Sequence, residues 1–132
     1  MNKDRLAEYQ RSRVLNMSQI ELVVMLYQGA IRFLNEAITL IGEERYDKSW
    51  QKFDRARRIV MHLCATLNPE AGDLTNKFAA IYAFVIEQIS VANARRDVAL
   101  ARNCIDILTT LKSGWEELAT TQAVPVVPEA GT

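Results

Sequence analysis

One histidine, two cysteines and two adjacent carboxylate pairs are the groups in this 132-residue chain that could carry out catalysis or hold a metal. A single imidazole, His62, rules out a two-histidine zinc site. No Ser-His-Asp arrangement is recognisable around it. His62 is followed by Leu-Cys-Ala-Thr-Leu, with neither lysine nor glycine. Beside the apolar positions Val60, Leu63, Cys64 and Leu67 it falls on an outward or boundary face of a helix. Cys64 and Cys104 each lie inside an apolar periodic segment, which suits buried free thiols rather than a disulfide framework. Glu43-Glu44 and Glu116-Glu117 sit at helix ends and read as solvated surface charge. There is no phosphate-cradling glycine loop and no Glu-x-x-His pair. The chain is therefore expected to have no catalytic residue, to bind no metal and to need no cofactor.

The elements that would position these groups are helices. Only three prolines occur, Pro69, Pro125 and Pro128, and they leave long proline-free stretches with no strand-like alternation. Ser18 and Glu21 form a Ser-x-x-Glu capping box that opens a first helix, with Gly42 expected as its left-handed cap. Leu22, Met25, Leu26, Gly29, Phe33, Ala37 and Leu40 form one apolar stripe of that helix. Val23, Tyr27, Ile31, Leu34, Ile38 and Ile41 form a second. A second helix is expected over about residues 47–67, with Trp50, Phe53, Val60, Leu63 and Leu67 facing inward. After the break at Asn68-Pro69, Asp73 is expected to cap a third helix and Asp97 a fourth. On the third helix Leu74, Phe78, Ile81, Tyr82, Val85, Ile89 and Ala92 share a stripe, with Phe84, Ile86 and Val91 off it. The fourth directs Ala101, Cys104, Leu108, Leu111, Trp115 and Leu118 inward. The expected fold is all-α: an antiparallel up-down four-helix bundle over residues 18–118, with an N-terminal arm over 1–17 and a flexible tail over 119–132.

Sixteen basic residues balance sixteen acidic ones, so no global field favours nucleic acid or an anionic membrane. One segment is locally basic: Arg45, Lys48, Lys52, Arg55, Arg57 and Arg58 against Asp47 and Asp54. It reads as a solvated helix face, with docking of an acidic partner as the sharper alternative. No apolar run reaches the roughly 20 residues that cross a bilayer, and the N-terminus has no signal-peptide core. A cytoplasmic protein without membrane insertion is expected.

What remains is surplus apolar surface on the first and third helices. It fits central helices that each contact two neighbours and, as the functional reading, a groove for a segment of another protein. Tyr82, Ile86, Ile89 and Asn93 of the third helix, with Ile107 of the fourth, are the expected partner-binding residues. Tyr9 and Val14 of the arm are the expected movable cover. The alternatives are a histidine phosphotransfer domain using His62, or a self-associating bundle that closes the same surface against a second copy.

The stretch Leu22-Val-Val-Met-Leu-Tyr-Gln-Gly-Ala-Ile-Arg-Phe-Leu34 resembles the first-helix signature Leu-Tyr-Asp-Gly-Ala-Ile of the flagellar secretion chaperone FliS family, with Gln28 in place of aspartate. Tyr9 and Val14 match that family's N-terminal tyrosine segment. Gly72-Asp73-Leu74, Ile81-Tyr82, Ala92-Asn93, Asp97 and Trp115 follow in order, so that the resemblance spans about residues 9–118. It implies a cytoplasmic export chaperone that binds the disordered C-terminal segment of flagellin and prevents premature polymerisation. It also implies delivery of that cargo to the flagellar type III export apparatus, with an export gate component as a second partner.

Overall fold

The computed structural model describes residues 4–8 and 18–122. Residues 4–8 are helical and exposed. Four long helices follow: α1 (Gln19–Gly42), α2 (Tyr46–Ala65), α3 (Asp73–Arg95) and α4 (Val98–Gln122), with a 3₁₀ turn at Pro69–Ala71 between α2 and α3. No strand occurs among the described residues. α1 packs on α2 and α4, α2 on α3, and α3 on α4, which closes a four-helix bundle. The α3–α4 seam is the least closely packed of the four.

Local chemistry explains most of the helix ends. The Ser18 hydroxyl accepts from the Glu21 backbone N–H at 3.0 Å, and the Glu21 carboxylate accepts from the Ser18 backbone N–H at 3.0 Å, so two free donors are satisfied reciprocally. α1 does not end on a left-handed Gly42. The chain turns two residues later, with Glu44 at φ 60°. Glu44 N–H donates to the Ile41 carbonyl and Arg45 N–H to the Leu40 carbonyl, which is a Schellman closure built on a glutamate. The same motif ends α3: Arg96 sits at φ 53° and Asp97 N–H donates to the Ala92 carbonyl at 3.0 Å. Asp97 then caps α4 through its carboxylate, which accepts from Leu100 N–H at 3.0 Å. α3 lacks the expected aspartate cap. Asp73 is its first helical residue, and Gly72, at φ 77°, holds the cap position without a side chain. α4 runs on to Gln122, one turn beyond the expected end at Leu118.

The core lies along the bundle axis. Tyr27, Ala30, Leu34 and Ala37 of α1 meet Phe53, Ala56, Val60 and Leu63 of α2. Tyr82, Val85, Ile89 and Ala92 of α3 meet Ala101, Cys104 and Leu108 of α4. Small residues at Ala30, Ala37, Ala56, Ala92 and Ala101 let the helices approach closely. Gly29 is the tightest such point, since a Cβ there would come within 3.3 Å of Ile59 Cδ1. Trp50 is not in this core. It is 58% exposed, and Ser49 takes the inward position one residue earlier. Ser49 tolerates burial because its hydroxyl donates to the Tyr46 carbonyl at 3.1 Å within the same helix. Both cysteines are free thiols, Cys104 buried and Cys64 partly so.

Candidate functional site

α3 and α4 form an antiparallel hairpin with a two-residue connection, and their loose seam opens outward into an apolar groove. Ile81 and Phe84 of α3 face Ile107 and Leu111 of α4 across a segment of about 500 Å³. A second segment of about 380 Å³ lies between Leu74, Phe78, Leu111, Gly114, Trp115 and Leu118. Thr110 and Leu111 line both, so the two segments are continuous along the hairpin. The α4 contribution is a helical stripe, 107–111–114–118, with spacings of three and four residues.

This face is apolar where a solvated helix pair would be polar. Leu74 is 61% exposed, Phe84 52% and Leu118 41%. A contiguous exposed apolar strip of this kind marks an interaction surface rather than scattered surface leucines. Gly114 lines the second segment, and an added Cβ there would meet nothing within 4 Å.

Under the groove lies a buried polar contact. The Tyr27 and Tyr82 hydroxyls are 2.5 Å apart, and Phe78 stacks between Tyr82 and Trp115 at centroid distances of 5.9 and 6.1 Å. Burial pushes both tyrosine hydroxyls above the usual phenol range. For Tyr27 the hydrogen bond to Tyr82 opposes that shift; for Tyr82 the neighbouring Tyr27 adds to it. A proton is thus retained in the pair at neutral pH, and the pair joins α1 to α3 beneath the groove. Burial also pushes the Cys104 thiol up to about 11, so it is an inert core group and not a nucleophile.

The residues expected to bind a partner are scattered by the fold. Ile107 lines the groove. Tyr82 and Ile89 are core residues, 2% and 0% exposed, and offer a partner no surface. Ile86 is half-buried against the core and lines neither groove segment. Asn93 lies in the α2–α3 cleft instead, where its amide donates to the Trp50 carbonyl at 3.4 Å. Tyr9 and Val14 lie outside the described residues. The groove residues not singled out from sequence are Leu74, Phe78, Ile81, Phe84, Leu111, Trp115 and Leu118. All but Phe84 were assigned to core stripes. The available signal was Phe84 itself, a large aromatic three residues from Ile81 and off the core stripe.

His62 is exposed in the last turn of α2. No group of three or more metal-ligating side chains occurs among the described residues, and no described helix is long and apolar enough to cross a membrane.

Residues 1–122 match the family described as flagellar protein FliS. The chain belongs to the FliS family. It is 24% identical over 109 residues to the flagellar secretion chaperone FliS of Bacillus subtilis, covering 83% of this chain and 81% of that one. It is 26% identical to the protein of the same name from Vibrio cholerae, covering 81% of this chain and 79% of that one. The Escherichia coli protein of that name is also 26% identical, with 80% and 79% covered. The match takes in all four helices, so the bundle and its α3–α4 groove lie within the part of the chain that places it in the FliS family.

Proposed function

We propose that this protein is a cytoplasmic export chaperone that holds the disordered C-terminal segment of flagellin. In this reading it blocks premature polymerisation and hands the cargo to the flagellar type III export apparatus. The observation that carries the reading is the continuous apolar groove between α3 and α4, with Phe84, Leu74 and Leu118 exposed along it. A segment that is unfolded before assembly suits such a groove. Its apolar residues cover the exposed strip, and its ordering on binding keeps the affinity moderate enough for release at the export gate. Ile107 remains in the proposed site, whereas Tyr82 and Ile89 support it from below. Tyr9 and Val14 are proposed as the cover of the empty groove, displaced when cargo enters. Displacement of such a cover lowers the apparent affinity by the fraction of time the groove stays closed.

The test is flagellin assembly followed by light scattering. With an equimolar amount of the chaperone, seeded polymerisation of flagellin monomers is expected to stop. Unimpeded polymerisation at that ratio would overturn the proposal.

A further inference from the structure

The basic segment noted in the sequence converges with α1 on a single aromatic ring. The charged groups of Arg32, Lys52 and Arg55 lie 5.0, 5.4 and 5.7 Å from the centroid of Phe33. One carboxylate answers them: Glu36, 2.9 Å from Lys52 and 3.9 Å from Arg32. Arg55 has no carboxylate partner among the described residues. Arg57 and Arg58, by contrast, are both absorbed by Asp54, at 2.7 and 2.9 Å. Lys52 also forms one rim of a shallow groove of about 750 Å³ over the outer face of α1, and Lys112 of α4 forms the other. Ile31 and Leu40 supply apolar floor between them, and Gln28, Asn35 and Thr39 supply polar groups. α4 lies between this face and the apolar groove: Lys112 rims the one, and Thr110 and Leu111 line the other.

We propose that this outer face of α1 is a second docking surface, taking an acidic segment of a partner protein whose carboxylates meet Arg32, Lys52, Arg55 and Lys112 while its aliphatic side chains lie on Ile31 and Leu40. Charge complementarity selects the occupant. Four cations face two carboxylates, Glu36 and Glu116, and three of the cations crowd one ring, so bringing in negative charge relieves their mutual repulsion. The excess is confined to a patch within a chain of zero net charge, and the groove has an apolar floor. A nucleic acid or an anionic bilayer calls for a broader basic field, whereas a short acidic-aliphatic peptide matches both features.

The probe is a blocked twelve-residue peptide alternating Glu with Leu, titrated into ¹⁵N-labelled full-length protein. Its Gln–Leu isostere, a short DNA duplex and phosphatidylglycerol vesicles serve as the other arms. The expected result is amide shifts centred on residues 31–40 and 48–55, weakening as salt is raised. Arg32→Gln with Arg55→Gln is expected to weaken the peptide about fivefold without moving the thermal midpoint, and Lys112→Gln on the opposite rim to act the same way. Equal binding of the Gln–Leu peptide, shifts centred on α3–α4 instead, or binding of DNA or vesicles in preference to the peptide would each overturn the proposal.

Discussion

At the scale of single residues, burial decides which side chains hold the fold and which are left for a partner. Ile86 reads as a surface position because it lies off the main stripe, yet it packs against the core. Ile86→Asp is therefore expected to cost about 2–4 kcal/mol of stability, because it brings an unpaired carboxylate against apolar neighbours. Chemical denaturation measures that loss directly. The buried titratable groups set a second expectation. Cys104, Tyr27 and Tyr82 all have folded-state values above their ordinary ones, so folding favours their protonated forms. Their contribution is fully present below the ordinary thiol value. It is lost as pH rises, first through Cys104 from there to about 11, then through the tyrosines above about 10. Denaturation midpoints are expected to hold from pH 7 to 8 and fall above about pH 9, and Cys104→Val is expected to soften the first part of that fall. The same residue scale shows what sequence could not reveal. Trp50 and Ser49 are adjacent, and period alone favours the larger apolar side chain as the inward one. The hydrogen bond from Ser49 to Tyr46 makes the inward serine tolerable, and it uses a backbone carbonyl that no hydrophobic pattern contains.

At the scale of elements, the helices were legible because their start signals act locally. The Ser18–Glu21 box and the Asp97 cap use groups three residues apart, and both form as their spacing implies. The C-terminal signals were less legible. Gly42 carries the usual residue type for a left-handed turn, but it is the last helical residue, and the turn falls two residues later on Glu44. A side chain at φ 60° is strained, and glycine relieves that strain. Glu44→Gly is expected to raise stability by about 0.5–1 kcal/mol, read as a higher thermal midpoint; a fall would mean that the Arg45–Glu43 contact beside it matters more. The α3–α4 seam explains why the candidate site was only half visible. Leu74, Phe78, Ile81, Leu111, Trp115 and Leu118 repeat at helical spacing exactly as core residues do. Only the loose packing of the two helices leaves their outer edges open. Ile107 lines the groove because it lies away from the buried Ala101–Cys104–Leu108 line.

At the scale of the whole molecule, two faces of one bundle carry different chemistry. The α3–α4 face is apolar, and the outer face of α1 is cationic with an apolar floor. On the two proposals made above, a cargo segment would lie on one side and an acidic partner on the other, with no coupling required between them. The central claim is that cargo lies in the α3–α4 groove. Gly114 offers the sharpest probe, because it lines the groove and an added Cβ there meets no neighbouring atom within 4 Å. The decisive measurement is calorimetric titration of a flagellin C-terminal peptide into the wild-type protein, Gly114→Ala and Gly114→Phe. Binding that persists in Gly114→Ala but weakens at least about tenfold in a fully folded Gly114→Phe is the predicted result, equivalent to about 1.4 kcal/mol. Equal affinity for all three proteins would contradict it.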